Sequence, residues 1–297
     1  MTVLVTAAAG NQGRMLVPKL LARGVPVRAN VQSEASADAL RKLGVDDVVV
    51  GDLADPEVQR AAVRGVSKIY HVGATLNPGE RAMGIGLIDA ARAEGIEHFV
   101  FSSVLHAIVT DLIQHEIKRD IEEHLISSDL DFTILQPSNY MLPLRLRPVF
   151  ERSVFELSWS LERQQSLVDL DDVTDVAVLA LTDSSRHAAA TYELVAPGRY
   201  TASQLRDVIS GVLERPIGLT EIDADAYARI WLRGRDPEEA PHQLRVMRAI
   251  SARYSAHDFL GNPNVLTWLL GREPTSFEQF VRREWAAHQA KATEPTP

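Results

Sequence analysis

Residues 2–13, TVLVTAAAGNQG, decide the fold of this chain. The stretch opens with an apolar run of strand length at residues 2–6 and then passes through small residues to Gly13. Apolar residues recur at helical spacing over residues 13–23, which follow. A buried strand that leads through a tight turn of small residues into a helix is typical of the first unit of a parallel α/β sheet.

The same alternation of strand and helix patterns continues through the first half of the chain. Short apolar runs predict further strands over residues 26–31, 45–50, 67–72, 97–102 and 131–136. Helical spacing predicts further helices over residues 35–43, 56–63, 84–93 and 112–126. Strands that are apolar nearly throughout are expected where helices cover both faces of a sheet. The pattern therefore predicts an α/β fold with a doubly wound parallel sheet and right-handed crossovers.

The organisation of the chain changes after Gln136. Residues 138–147 show no clean period, and helical patterns dominate from residue 201 onward. Residues 191–195 are expected to rejoin the parallel sheet. The predicted bounds are 1–137 with 168–196 for a sheet domain, and 138–167 with 197–297 for a smaller, mostly helical lobe.

Composition excludes several classes of protein. The 297 residues include no cysteine, which excludes disulfides, thiolate metal sites and a cysteine nucleophile. The net charge is −9, whereas a nucleic-acid partner requires a basic face. No apolar run reaches the roughly 18 residues of a membrane span, the N-terminal run lacks the basic segment of a signal peptide, and no spacing indicates a metal site. We therefore expect a cytoplasmic protein that binds neither nucleic acid nor membranes.

The turn after the first strand carries a candidate dinucleotide site, with the spacing A-x-x-G-x-x-G from Ala7 to Gly13. Small residues let the turn be tight, let the backbone approach a pyrophosphate, and let the helix pack close to the sheet. Because Ala7 stands where glycine is usual, we expect its φ to be negative. The alternative is an ordinary glycine-rich turn. The candidate cofactor-binding residues of this turn are Thr6, Ala8, Ala9, Gly10, Asn11, Gln12 and Gly13.

The end of the second predicted strand bears on the choice between NADP and NAD. An NAD site usually has Asp or Glu here to bind the ribose hydroxyls. This chain has Val31-Gln32-Ser33 instead, so Gln32 and Ser33 are the candidate binding residues. Arg14 and Arg28 are near enough in sequence to meet a 2′-phosphate. The segment therefore favours NADP(H) over NAD(H).

Two further strand ends are expected to border the same cofactor. Asp52 and Leu53 follow the third strand, where Asp52 could face the adenine or cap a loop. Val72, Gly73 and Ala74 follow the fourth strand, where small residues let a cofactor pass close to the backbone.

Five segments together resemble a known family. They are VTAAAGNQGR (5–14), GDLADPE (51–57), FVFSSVLH (99–106), KRDIEEHLISSDLDFTILQPSNYM (118–141) and VLTWLLGREPTSFEQF (265–280). The chain resembles the NmrA-like branch of the atypical short-chain dehydrogenase/reductases nearly from end to end. The resemblance implies a Rossmann domain that binds NAD(P) and a small substrate lobe over the nicotinamide. Members of the family include NAD(P)H-dependent quinone, ketone and ether reductases, and also redox sensors that bind the dinucleotide without catalysis.

The resemblance also implies candidate catalytic residues. The wider superfamily uses a Tyr-x-x-x-Lys motif, and here that frame runs from Gln114 to Lys118, with the lysine but without the tyrosine. In the parent scheme the lysine holds the nicotinamide ribose and the tyrosine exchanges the proton. His115 lies three residues before Lys118, on roughly the same helix face, and is a candidate proton donor. Lys118 itself is the alternative donor.

Residues near the ends of the fifth and sixth strands complete the candidate site. Ser102, Pro137 and Asn139 are expected to border the cofactor, and His106 and Tyr140 the substrate. The alternative for Asn139 and Tyr140 is a packing role between the lobes, and the alternative for His106 and Ser102 is an ordinary loop or strand-end residue.

The function expected from these features is NADPH-dependent hydride transfer to a quinone, a ketone or an activated double bond. Because a quinone needs no strongly placed acid, the missing tyrosine favours quinones and other activated acceptors. The alternatives are a dinucleotide-binding redox sensor without turnover and a redox-neutral enzyme that retains its cofactor. A homodimer is expected because dimers are the commonest oligomers of soluble proteins. In the C-terminal lobe, the cationic side chains of Arg233, Arg235 and Arg245 could meet an anionic substrate, and the alternative is a solvated face.

Overall fold

The computed structural model describes residues 1–74, 76–232 and 236–293. Arg233 and Arg235 lie outside these ranges. The chain divides into two compact units. The sheet unit comprises Met1–Pro137 and Leu170–Leu194, and the C-terminal unit comprises Ser138–Asp169 and Val195–Pro297.

The strands, in chain order, are β1 (Val3–Val5), β2 (Val27–Val31), β3 (Asp47–Val50), β4 (Lys68–Val72), β5 (His98–Ser102), β6 (Phe132–Pro137), β7 (Asn139–Met141), β8 (Val154–Leu157), β9 (Leu167–Asp169), β10 (Ala190–Leu194) and β11 (Gly218–Glu221). The α-helices are α1 (Gly13–Leu21), α2 (Glu34–Arg41), α3 (Pro56–Val63), α4 (Glu80–Glu94), α5 (Ile113–Ile126), α6 (Pro143–Arg152), α7 (Leu170–Thr182), α8 (Ser184–His187), α9 (Ala202–Leu213), α10 (Ala224–Trp231), α11 (Pro241–Ala256), α12 (Asn264–Leu270) and α13 (Phe277–Thr293). In the described ranges, no helix is both long enough and apolar enough to span a bilayer.

The sheet unit is built on a seven-stranded parallel sheet with the order β10-β6-β5-β4-β1-β2-β3. The chain runs outward from β1 to β3 on one side and then from β4 to β10 on the other. The switch of direction falls between β1 and β4, and ligands of such sheets bind outside the carboxyl ends of the strands at this point. The predicted doubly wound parallel sheet is confirmed, including the return of β10 beside β6.

Helices cover the sheet because its strands are apolar on both faces. On one face, Leu4, Ile69 and Phe99 of the sheet pack with buried residues of α3, α4 and α5. Gly84 lets α4 approach α5 closely, since a Cβ at this position would lie 2.6 Å from Cδ1 of Ile121. On the other side of the unit, α1 packs against α7, and α7 packs against β4, β5 and β6.

The C-terminal unit is mostly helical, as predicted, with two short parallel strand pairs, β7 with β9 and β8 with β11. Its core includes Trp159, which lies edge-on to Tyr227 and Tyr254 at ring distances of 6.4 and 5.5 Å. Arg283 on α13 pairs with the buried carboxylate of Asp169 at 2.7 Å, which ties α13 to β9.

Candidate active site

A cavity of about 260 Å³ lies along the carboxyl ends of the strands at the switch point of the sheet. Its walls come from the turn after β1 and from the residues that follow β2, β3 and β4. The predicted cofactor residues that line it are Ala9, Gly10, Gln32, Asp52, Leu53, Val72, Gly73 and Ala74. Five residues that were not predicted from the sequence also line it, namely Asn30, Ser36, His71, Glu80 and Met83.

The turn after β1 adopts a conformation that the sequence analysis excluded. Ala7 has a φ of 47°, so the expectation of a negative φ was wrong. The turn closes through a hydrogen bond from the Gly10 backbone N–H to the Ala7 carbonyl oxygen at 2.7 Å. Alanine is the smallest residue with a Cβ, and the tight turn holds it in the left-handed region despite the steric cost.

The other residues of this turn have identifiable positions. A Cβ on Gly13 would lie 2.4 Å from the carbonyl oxygen of Ala8, so glycine is needed where α1 begins against the turn. Asn11 is exposed, whereas Gln12 is buried and accepts a hydrogen bond from the hydroxyl of Tyr70. Ala8 is buried, and its N–H donates to the Asn30 carbonyl at 3.1 Å.

The wall beyond β2 presents neutral polar groups. Gln32 and Ser36 line the cavity, while Ser33 caps α2 by accepting a hydrogen bond from the Ser36 backbone N–H. Asp52 lines the cavity, and its Oδ1 accepts a hydrogen bond from the Ala54 backbone N–H at 2.9 Å.

Arg28 does not meet the expectation that it reaches a 2′-phosphate. Its Nε lies 2.8 Å from Oδ2 of Asp47, and its Nη1 donates to the Arg64 carbonyl at 2.5 Å. These contacts hold the guanidinium at the side of β3, and Arg28 is not among the residues that line the cavity. Arg14 is exposed on α1 and does not line the cavity either.

A buried ion pair stands at the inner wall of the cavity. Lys118 on α5 and Glu80 at the start of α4 are both nearly inaccessible to solvent, and Lys118 Nζ lies 2.7 Å from Glu80 Oε1. The same ammonium donates to the Ser102 carbonyl at 3.3 Å and lies 5.2 Å from the ring centroid of Phe101. Glu80 lines the cavity, and its Oε2 has no hydrogen-bond partner among the described residues.

Gly73 makes room for this pair. A Cβ at Gly73 would lie 2.1 Å from Glu80 Oε1 and 2.4 Å from Lys118 Nζ. A small residue was expected here from the sequence, because it lets a cofactor approach the backbone. The structure adds a second reason, because the two charged side chains of the protein occupy this space.

His71 on β4 extends the buried polar wall. Its Nδ1 lies 3.0 Å from the hydroxyl of Thr6, and its Nε2 is buried without a hydrogen-bond partner in the described part of the chain. Burial, and secondly the positive charge of Lys118, lower the pKa of His71 from 6.5 to about 3. The ring is therefore neutral at physiological pH, stacked on Phe101 at 5.7 Å.

The remaining candidates of the sheet unit lie on the loop after β5 and the start of α5. His115 is buried, and its Nδ1–H donates to the His106 carbonyl at 3.0 Å, because a carbonyl oxygen can only accept. His106 has a φ of 57°, and its Nδ1 lies 3.6 Å from the carboxylate of Glu193. Ser102 is buried and offers its carbonyl to Lys118, while its hydroxyl has no partner among the described residues.

Pro137 ends β6, and its carbonyl accepts from Leu105 N–H at 2.9 Å. Asn139 and Tyr140 belong to the C-terminal unit. The side chain of Asn139 donates to Gln165 at 2.7 Å and accepts from Tyr254 at 3.2 Å. Tyr140 lines a second, much smaller cavity in the C-terminal unit.

Sequence reasoning missed three charged or titratable residues of the sheet unit. His71, a polar residue near the carboxyl end of β4, was a signal that could have been used. Glu122, four residues after Lys118, was another, and the structure buries it partly, with hydrogen bonds from Ser103 and from Gln136 at 2.9 Å. Burial raises the pKa of Glu122 above its ordinary value, against the effect of these hydrogen bonds. Glu80 had no local signal, since only the packing of α4 on α5 brings it to Lys118.

The sequence profile of the NmrA-like family matches residues 1–281. The chain belongs to the NmrA-like family. This confirms the resemblance stated from the sequence segments. A relative of this NmrA-like chain, an NAD(P)H azoreductase of Xenophilus azovorans, is 26% identical over 292 residues that cover 97% of this chain and 99% of the relative.

Two of the solved structures that share the fold of this protein contain a nicotinamide dinucleotide. One is an NADPH-dependent quinone oxidoreductase of Escherichia coli complexed with NADPH, 21% identical with a TM-score of 0.78, covering 95% of this chain and 99% of that chain. The other is NmrA, a negative transcriptional regulator in complex with NAD, 17% identical with a TM-score of 0.76, covering 99% of this chain and 98% of that chain.

Proposed function

We propose that the protein is an NADPH-dependent oxidoreductase that transfers hydride to a small organic acceptor, with quinones and azo compounds as the preferred class. The observation that carries the proposal is the cavity at the switch point of the parallel sheet. Glu80 lines this cavity, and its carboxylate pairs with the buried ammonium of Lys118. The azoreductase and quinone oxidoreductase relatives support the class of acceptor.

The residues that line the cavity suit the chemistry of a dinucleotide. Ala9 and Gly10 offer backbone in a tight turn before α1, where a helix N-terminus favours the negative charge of a pyrophosphate. The buried, unpartnered Nε2 of His71 and Oε2 of Glu80 line the same space and lack partners that a ligand could supply. NADP is favoured over NAD because Gln32 and Ser36, rather than a carboxylate, line the wall beyond β2.

The dinucleotide, when bound, supplies the hydride. The ammonium of Lys118 would donate hydrogen bonds to ribose hydroxyls and so hold the reacting end in place. The proton would come from Lys118 or His115. His115 already carries hydrogen on Nδ1, so it donates from Nε2 only as the imidazolium. Gln114 carries no acidic proton at neutral pH, which favours acceptors whose reduced form is a weak base.

The first test is a titration of the purified protein with NADPH and with NADH, followed by nicotinamide fluorescence. The proposal expects tight binding of NADPH and weak binding of NADH. Steady-state NADPH oxidation is then compared with 2-methyl-1,4-naphthoquinone, methyl red and cyclohexanone as acceptors, and the quinone or the azo dye should be reduced fastest. A preference for NADH would overturn the choice of cofactor, and reduction of the ketone alone would overturn the acceptor class.

A dinucleotide sensor without turnover is the second candidate. The missing tyrosine favours it, and the regulator NmrA in complex with NAD shares the fold. Replacement of Lys118 by Met separates the two candidates. A strong but measurable fall in turnover with retained NADPH binding supports the reductase, whereas a wild-type protein that binds NADPH and reduces no acceptor supports the sensor. A redox-neutral enzyme would convert its substrate without net NADPH consumption.

A further inference from the structure

We infer that Glu80 is a positioning residue, whose buried carboxylate holds the ammonium of Lys118 in the orientation that hydride transfer requires. The inference rests on the proposed reductase function. It assigns a role in that site to a residue that lies on a different helix from Lys118 and outside the Tyr-x-x-x-Lys frame.

The contacts of Lys118 make Glu80 its main anchor. The carboxylate lies 2.7 Å from Nζ, whereas the Ser102 carbonyl is more distant at 3.3 Å and carries no formal charge. A lysine side chain has many rotamers, so a buried ammonium keeps one position only where its partners are fixed. Gln114 does not supply a partner, because its Oε1 is buried without a hydrogen bond to any described residue.

The packing of α4 on α5 fixes Glu80 in turn. Gly84 lies one turn after Glu80 on α4, and Ile121 lies about one turn after Lys118 on α5. Gly84 admits Ile121 at a distance that any Cβ would forbid, so the two helices meet closely at this level. Glu80 and Lys118 lie one turn before this contact on their helices. The close approach of the two helices therefore brings the Glu80 carboxylate to the Lys118 ammonium.

The space around the pair leaves little freedom. Gly73 lies so close to the pair that Oε1 of Glu80 and Nζ of Lys118 occupy the space where a Cβ would stand. Because Glu80 also lines the cavity, its carboxylate stands between the protein interior and the ligand space. Loss of the carboxylate should therefore let the ammonium move, which weakens the alignment of groups that the reaction depends on.

The test is a double-mutant cycle with Glu80→Gln, Lys118→Met and the double variant. Glu80→Asp is the conservative variant. Glu116→Gln is the control, because this half-exposed carboxylate on α5, the helix of Lys118, pairs with Arg81 of α4 at 3.1 Å. For each protein, kcat and KM for NADPH oxidation with 2-methyl-1,4-naphthoquinone, the NADPH dissociation constant and the melting temperature are measured.

Glu80→Gln should lower kcat by about 10- to 100-fold, in the range expected for a small misplacement of a reacting group. In the Lys118→Met background the same change should alter kcat by no more than about two-fold, because Glu80 acts through the ammonium. Glu80→Asp should recover part of the loss, and Glu116→Gln should resemble the wild type. If Glu80→Gln does not fold, two comparisons decide the question. The double variant is compared with Lys118→Met, and Glu80→Asp is compared with the wild type.

Equal losses from Glu80→Gln in both backgrounds would overturn the inference while leaving the reductase function intact. A lower melting temperature with unchanged kcat would also overturn it, since that result indicates a purely structural pair. Failure of the wild-type protein to bind NADPH or NADH overturns the proposed function, and this inference with it.

Discussion

Gly73→Ala is the sharpest test of the buried pair at the cavity wall. The added Cβ would lie 2.1 Å from Glu80 Oε1 and 2.4 Å from Lys118 Nζ, both far inside van der Waals contact. The pair cannot move aside freely, because both side chains are buried and Lys118 also lies over Phe101. The substitution must therefore displace one charged group or break the pair.

The expected cost follows from these two outcomes. Overpacking of a core costs about 1–3 kcal/mol. Separation of a buried charge from its partner costs about 3–5 kcal/mol. We expect a loss of about 3 kcal/mol in the free energy of unfolding, which lies where the two ranges meet. At about 2–4 °C per kcal/mol for a unit of this size, the melting temperature should fall by about 6–12 °C.

The assay is thermal unfolding of wild type, Gly73→Ala and the control Gly211→Ala, read by circular dichroism. Gly211 lies within α9, and nothing stands within 4 Å of the position of an added Cβ. Alanine there should therefore stabilise the protein by about 0.5–1 kcal/mol. NADPH titration of Gly73→Ala should show weakened binding as well. Unchanged stability and unchanged NADPH binding in Gly73→Ala would refute the packing of this wall.

Three further predictions concern the sheet unit. Burial lowers the pKa of His71 to about 3 and that of His98 to about 4, so the folded protein binds these protons more weakly than the unfolded chain does. Stability should fall as the pH drops from about 6.5 towards 4, by about 1.4 kcal/mol per pH unit for each histidine, and His98→Gln should make the slope of urea midpoints against pH shallower. Because Arg28 is held by Asp47, Arg28→Gln should leave the ratio of NADPH to NADH affinity within about two-fold of wild type, as measured by fluorescence titration. Ala7→Val should lower the unfolding free energy by about 1–2 kcal/mol because a β-branched residue fits poorly at a φ of 47°, whereas Ala7→Gly should not destabilise, and thermal melts of both variants check this.

The sheet unit could be predicted because its local patterns agree with its tertiary structure. Each strand from β1 to β6 is a short apolar run, and each intervening helix has a helical apolar spacing. The bounds shift only at the ends, as where α4 begins at Glu80 rather than at residue 84.

The C-terminal unit was less predictable. Residues 138–147 showed no clean period, yet they form β7 and the start of α6. Pro143 begins α6 at a position that suits proline. Pro148 lies inside the helix, where a proline in the sequence predicts that no helix forms. Tertiary contacts outweigh local preference there, since Leu146 and Val149 of α6 are buried.

The candidate site divides in the same way. Gly10, Gln32, Asp52 and Gly73 could be named from strand ends because parallel strands present all their carboxyl ends at one edge. The conformation of Ala7 could not, because its φ depends on how the turn closes rather than on residue preference.

The sequence by itself determined the order of strands and helices, the small-residue turn before α1, and the lysine at position 118, since each depends on residues near one another in the chain. Only the tertiary structure decided the partner of that lysine. Glu80 and Lys118 are remote in sequence, and they meet because Gly84 lets α4 pack closely against Ile121 of α5. Once both were buried, an unpaired charge would have been too costly in the low-dielectric interior, so the carboxylate and the ammonium stand together.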